Sequence, residues 1–202
     1  MILYMFRHAA VQGNRELRYV GTTDESILPE EREKMELRRH AFAAEKRWKE
    51  PDRVFVSPLI RCRETAAILF PSSEQTLVPE FREISFGRFE NKNYRELTGD
   101  PDYQRWIDSG GTMRFPDGES REEFQKRCLE GFDRIMDECR NAHAKRAAMI
   151  VHGGTVMSIL SAYGKPAGDY YSFQVHPGCG YRLDMDVKRY RKKGVKIVKA
   201  LG

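Results

Sequence analysis

Six consecutive apolar residues, Met1 to Phe6, run straight into Arg7 and His8. An apolar run without a polar residue at every second position is the pattern of a strand buried on both faces of a sheet. Such a strand requires helices on both sides, and the chain alternates strands with helices throughout. EEREKMELRRHAFAAEKRW (30–48) is rich in helix formers with apolar residues at helical spacing. DRVFVS (52–57) reads as a second strand. In SPLIRCRETAAILF (57–70), Ser57 fits a helix N-cap and Pro58 the first helical position. EQTLVPEF (74–81) holds a third strand. ESREEFQKRCLEGFDRIMDECRNA (119–142) is a long amphipathic helix, with Ser120 and Glu123 at capping-box spacing. AAMIV (147–151) is a fourth strand, and HGGTVMSILSAYG (152–164) a turn and helix ending near Gly164. CGYRLDMDV (179–187) and GVKIVKAL (194–201) finish as strands, read as an edge hairpin.

The expected fold is therefore α/β, a three-layer arrangement of a mostly parallel sheet with helices on both faces. The stretch from Ser85 to Pro116 lacks strong periodicity and carries Gly, Asn, Asp, Pro and aromatic residues. It reads as a small inserted cap of helices and loops, spanning about residues 85–118 of a single domain covering 1–202.

Composition narrows the function classes. With 40% hydrophobic and 32% charged residues, the 202-residue chain has the mix of a globular protein with a real core. The net charge of +5 owes much to the tail KRYRKKGVKIVKALG. No aromatic residues interleave with a wider basic stripe, so a solvated, lysine-protected strand is expected rather than a nucleic-acid surface. No stretch approaches a membrane span, and the apolar start has neither a basic flank nor a small-residue cleavage site. A cytoplasmic protein with reduced thiols is the expectation. Cys62, Cys128, Cys139 and Cys179 show no C-x-x-C spacing, so no metal site is expected. Cys128 and Cys139 share a helical face and suit the core, as does a buried Cys62.

Three strands end in related chemistry. The first ends at Arg7-His8, the second at Ser57-Pro58 with Arg61 in the following turn, the fourth at His152-Gly153-Gly154. In open α/β sheets, ligands bind beyond the carboxyl ends of the strands. If these strands are neighbours, two arginines and two histidines converge there, and two helix N-termini add N–H donors. An anion with several oxygens would relieve their mutual repulsion, and phosphate suits the planar guanidinium best. There is no G-x-x-x-x-G-K-[ST] sequence and no obvious carboxylate cluster for a metal, so positive charge would come from the arginines and histidines themselves.

FRHAAVQGN, VSPLIRCRETA, EFREISFGRFE and IVHGG resemble, in order, four signatures of the histidine phosphatase, or phosphoglycerate mutase-like, superfamily. The resemblance spans nearly the whole chain. It implies that His8 is the nucleophile, that Arg7, Arg61 and His152 bind phosphate, and that Glu83 is the proton donor to the leaving group. Glu80 and Glu90 are the neighbouring competitors for that last role. Asn14 matches a position that contacts phosphate in the family, beside its plain reading as a turn residue. It further implies a metal-independent phosphomonoester hydrolase working without a cofactor through a phosphohistidine. The implied partner is a small phosphorylated metabolite rather than nucleic acid or membrane, with oligomeric state left open. Mutase-type transfer and a non-catalytic phosphoester binder on the same fold are the alternatives. Mutases of this family continue R-H-G with a serine, a tryptophan and an asparagine, and the serine and tryptophan are missing here.

FGRFENKNYREL, the cap and GCGYRLDM look most like the α-ribazole phosphatase branch. Phe86, Phe89, Tyr94, Tyr103, Trp106 and Phe115 would either wall a pocket or pack the cap. Arg82, Arg114 and His176 are further residues with a possible reach to substrate. The family glycine after R-H is Ala9 here. Alanine is cheap only at negative φ, so negative φ is expected, with the Ala9 N–H free for the pocket.

Overall fold

Strand β1 (Ile2–Arg7) lies inside a seven-stranded sheet of order β3-β2-β4-β1-β6-β7-β5. The computed structural model describes residues 1–46 and 48–202. β2 (Arg53–Val56), β3 (Gln75–Leu77), β4 (Arg146–Val151) and β1 pair in parallel. β6 (Gly180–Asp184) and β7 (Val195–Leu201) continue the sheet antiparallel, and the two-residue β5 (Gly164–Lys165) pairs parallel with β7. The sheet is mostly parallel, as the continuous apolar run requires.

The side chains of β1 divide between two cores. Leu3 and Met5 point to one face, where they join Phe132, Ile135 and Cys139 of α5 (Arg121–Asn141) and Val156, Ile159 and Leu160 of α6 (Gly153–Tyr163). Tyr4 and Phe6 point to the other, against Phe42 of α2 (Pro29–Ala44) and Cys62, Ala66 and Leu69 of α3 (Ile60–Leu69). This period-2 division explains why β1 carries no charged side chain before Arg7 at its end. Trp48 closes the second core, stacking on Phe42 with ring centroids 4.8 Å apart.

The capping box at α5 forms as the sequence predicts, with Ser120 Oγ accepting from the Glu123 N–H and the Glu123 carboxylate accepting from the Ser120 N–H. Other expectations need correction. The stretch predicted as one helix from 30 to 48 is helical only from Pro29 to Ala44, and it includes Arg47, which lies outside the described residues. The loop before it contains a short helix, α1 (Gln12–Arg15). The last two strands do form an antiparallel pair, but β7 is not wholly a free edge. β6 is paired on both sides, to β1 and β7, and β5 covers the start of β7. Ser57 is not the N-cap and Pro58 is not the first helical residue: α3 begins at Ile60 with Leu59 before it, and the serine hydroxyl faces His152 Nε2 at 2.7 Å.

Residues 85–118 hold a short 3-10 turn (Gly87–Phe89) and α4 (Pro101–Asp108), whose N-cap Asp100 accepts from the N–H groups of Asp102 and Tyr103. They share a small core of their own, in which Phe89, Leu97 and Phe115 meet Ile84 and the α5 residues Phe124 and Cys128. The last α-helical element among the described residues is the single turn α7 (Tyr190–Lys193).

Phe132 is fully buried between Tyr163 and Tyr190, with ring centroids 5.8 and 5.5 Å away. Phe132→Ala is therefore expected to cost about 3–5 kcal/mol in the denaturant midpoint stability. A loss below about 1 kcal/mol would contradict the assignment of this face as the principal core.

Candidate active site

The parallel register brings the three strand ends level. Arg7 stands opposite Val151, Val56 opposite Ile150, and the His8 N–H donates to the Val151 carbonyl at 2.9 Å. His8 and His152, the residues just past β1 and β4, then face each other with ring centroids 5.1 Å apart. Both are buried.

His8 Nδ1 lies 2.7 Å from the Ala9 carbonyl oxygen. A carbonyl can only accept, so Nδ1 carries the proton and Nε2 keeps its lone pair. Burial, reinforced by the charges of Arg61 and Arg7, holds the His8 pKa well below the usual imidazole value. The ring is neutral, a state suited to a nucleophile. His152 is held low by burial and by Arg61, His8 and Arg7. Its Nε2 is 2.7 Å from Ser57 Oγ, which accounts for the serine at the end of β2. Cys62 Sγ lies 3.5 Å from the same nitrogen, and burial pushes its thiol pKa up to about 12, so it stays protonated and packs.

Arg61 is fully buried. Its Nη1 donates to the Thr23 carbonyl at 2.7 Å and its Nη2 to that of Gly21 at 2.9 Å. That loop is itself fastened by Glu90, whose Oε1 accepts from the Gly21 N–H and from the N–H and hydroxyl of Thr23 at 2.7–2.8 Å. Glu90 thus positions Arg61 through the loop. Arg7 donates from Nη1 to the Val175 carbonyl at 2.9 Å. The Nε atoms of Arg7 and Arg61 are buried and bonded to no protein group among the described residues. Buried donors of this kind call for an acceptor, and a multi-oxygen anion serves both arginines.

Glu83 reaches the same place from the loop after β3. Its Oε1 accepts from the Ile84 N–H at 3.0 Å and its Oε2 lies 3.4 Å from the Gly154 nitrogen at the start of α6. Burial raises its pKa, and the Ile84 N–H, Arg61 and Arg7 only partly offset this. Gly154 makes the approach possible: a Cβ there would sit 2.6 Å from Glu83 Oε1 and 2.8 Å from the Phe124 ring. The second glycine of H-G-G is thus the one whose missing side chain leaves room for Glu83. Of the competing carboxylates, Glu80 is ion-paired to Arg134 at 2.7 Å, and Glu90 is committed to the loop.

The structure brings together Arg7, His8, Arg61, His152 and Glu83. Asn14 is not hydrogen-bonded to this group: it lies in α1, where its Oδ1 accepts from the Val11 N–H at 3.2 Å, the turn role. Two further expectations are corrected. The amino ends of both helices are partly engaged, the Ile60 N–H of α3 by the Asp24 carboxylate at 2.7 Å and the Gly154 N–H of α6 by Glu83 Oε2 at 3.4 Å. Ala9 is not among the residues with positive φ, as expected, but its N–H donates to Thr65 Oγ1 at 3.0 Å and is not free. Thr65 in turn donates to the Arg61 carbonyl at 2.7 Å, tying the turn after β1 to α3.

A cleft of about 320 Å³ opens from Arg7, Glu83 and Gly154. Of the six aromatic candidates, Phe86, Trp106 and Phe115 line it. Phe89 and Tyr103 pack the cap, and Tyr94 is exposed away from the cleft. Arg82 and His176 are exposed and off the cleft, and Arg114 is paired with Glu123. Other lining residues went unread in the sequence: Tyr170 and Tyr171, from a 3-10 turn (Tyr170–Phe173), Met157, Gln174 and Arg121, and Tyr19, which packs on Phe86 and Trp106. The only sequence signal for them was the adjacent tyrosine pair just beyond α6.

Comparison with known proteins agrees with this geometry. Residues 3–197 match the family model of the histidine phosphatase superfamily (branch 1). The chain is 29% identical over 142 residues to an adenosylcobalamin/α-ribazole phosphatase of Salmonella typhimurium, covering 66% of this chain and 67% of the relative. It is 28% identical over 202 residues to a broad-specificity phosphatase of Saccharomyces cerevisiae, covering 97% and 82% respectively. The crystal structure of the α-ribazole phosphatase from Shigella flexneri superposes with a TM-score of 0.82 at 21% identity, covering 100% of this chain and 96% of that one.

The oxyanion site is testable without reference to any reaction. Arg7→Met is expected to weaken binding of inorganic phosphate, measured by titration calorimetry, by at least about tenfold. Unchanged affinity would mean that phosphate binds elsewhere.

Proposed function

This chain belongs to the histidine phosphatase superfamily (branch 1), and from that premise we propose that it is a phosphomonoester hydrolase working through a phosphohistidine on His8. The observation that carries the reading is the state of His8. It is neutral, its Nδ1–H is bonded to the Ala9 carbonyl, and its free Nε2 lies in the field of two buried arginines.

Nε2 attacks phosphorus as the ester P–O bond breaks, and Arg7, Arg61 and His152 stabilise the charge on the non-bridging oxygens. The imidazole becomes cationic on phosphorylation, and the Ala9 carbonyl accepts the hydrogen bond from Nδ1 that stabilises that charge. Glu83, kept protonated by its raised pKa, gives its proton to the leaving oxygen. The resulting carboxylate then takes a proton from water as that water attacks phosphorus. The N–P bond breaks, releasing inorganic phosphate and restoring neutral His8 and protonated Glu83. The guanidiniums supply the positive charge, so no step requires a metal ion.

The aromatic walls support a small phosphorylated metabolite with a planar leaving group as substrate. The nucleoside-like ester in the name of the Salmonella relative is of that class. These walls, and the missing serine and tryptophan near Asn14, favour hydrolysis over mutase chemistry. A substrate of this kind is consistent with a cytoplasmic setting.

In assays with EDTA, His8→Ala is expected to abolish turnover of both 4-nitrophenyl phosphate and an alkyl phosphate. Glu83→Gln is expected to cost about 10²-fold or more on the alkyl ester and far less on the nitrophenyl ester, which needs little protonation. Equal losses on the two esters would refute the general-acid role. The pH dependence follows from the same shifts. Alkyl ester turnover falls as rising pH deprotonates Glu83, on a limb above the ordinary carboxylate value of 4.5, and as falling pH protonates His8, on a limb well below 6.5. Glu83→Gln should remove the alkaline limb from the kcat profile; its persistence would assign that limb to another group.

A further inference from the structure

Arg121 occupies the first position of α5, the amino end of a 21-residue helix. A cation there opposes the helix dipole, and the neighbouring Glu122 and Glu123 are the residues that position favours. The adjacent carboxylates do not compensate it. Glu119 is bonded to Arg127, and Glu123 to Arg114 and to the Ser120 N–H. Among the described residues, Arg121 forms no ion pair or hydrogen bond. Its guanidinium instead lies over the Tyr170 ring, 5.5 Å from the centroid, and the side chain lines the cleft that also holds Arg7 and Glu83. The Tyr170 hydroxyl is 3.4 Å from the Gly154 carbonyl, which fixes the ring to the same H-G-G turn that receives Glu83.

A partly buried arginine held on an aromatic ring, at an electrostatically unfavourable helix position and without a protein anion, is a recognition group. The phosphate charges are already matched by Arg7, which lines the cleft, and by the fully buried Arg61. We propose that Arg121 is a specificity-determining residue that binds an anionic substituent, of the carboxylate class, on the leaving group of the substrate. This rests on the phosphomonoesterase reading and narrows it to planar phosphomonoesters that carry a second negative charge remote from the phosphorus. Arginine rather than lysine suits the role, because its planar fork bonds a carboxylate with two parallel N–H donors while its face stacks on Tyr170.

The test uses two non-hydrolysable probes that differ only in that substituent, 4-carboxybenzylphosphonate and 4-carbamoylbenzylphosphonate, titrated calorimetrically into the intact protein. The wild type is expected to bind the carboxylate at least about tenfold more tightly. Arg121→Gln is expected to bring the two affinities together, and Arg121→Lys to restore part of the difference. In thermal melts Arg121→Gln should be no less stable than wild type, because a cation leaves the positive end of the helix. Equal wild-type affinities, or a preference that survives Arg121→Gln, would overturn the proposal, as would a large loss of stability, which would make Arg121 a structural anchor. The binding readout separates this claim from catalysis. A protein that discriminates the phosphonates but cleaves no ester overturns the hydrolase reading and leaves Arg121 assigned. One that cleaves esters without discriminating does the reverse, and one that binds neither probe and cleaves no ester overturns both.

Discussion

Two guanidiniums and two imidazoles are buried at one edge of one sheet, and the surrounding structure is organised to make that tolerable. Burying an unpaired charge is costly, and the imidazoles avoid the cost by staying neutral. The guanidiniums have no such option. Arg61 is held instead by the carbonyls of Gly21 and Thr23, and Arg7 by that of Val175. Each holding group needs its own support. Glu90 fastens the 21–23 loop, Asp24 caps α3, and Thr65 ties α3 to the turn after β1. The positive site that results is complementary to an oxyanion, and its geometry follows from the parallel register of β2, β4 and β1.

Much of this was legible in the chain. The unbroken apolar run Met1–Phe6 implies a doubly covered strand, and Leu3 and Met5 do face one core while Tyr4 and Phe6 face the other. Basic residues at three strand ends implied a shared site because parallel strands bring their carboxyl ends to one edge. What stayed hidden was mostly tertiary. Ser57 has the local chemistry of an N-cap, but a partner 95 residues away, His152, takes its hydroxyl. The Ala9 N–H lies next to the site in sequence, yet Thr65 accepts it. The antiparallel insertion of β6 beside β1 depends on a pairing 174 or more residues apart, which no local pattern encodes.

The division of labour within the cleft follows the same boundary. Groups placed by strand ends and by the H-G-G turn are fixed by the sheet, and these are the groups that the proposed phosphoryl transfer uses. The walls come from the cap and from the Tyr170–Phe173 turn, elements with no periodic pattern. The proposed recognition of substrate therefore rests on the part of the chain where sequence reading is weakest. Three of six aromatic candidates proved to pack or point away, while the tyrosines beyond α6 and Arg121 at the head of α5 also line the cleft.

The central claim is that His8 carries the phosphoryl group during turnover. It is tested most directly by mixing the protein with a fast aryl phosphate, quenching at alkaline pH within one turnover, and mapping the modified residue by mass spectrometry. The account predicts one phosphoryl group on the imidazole of His8, lost on brief acid treatment as a phosphoramidate should be. A phosphoryl group on any other residue, or turnover with no trapped protein adduct under conditions where product release precedes dephosphorylation, would contradict it.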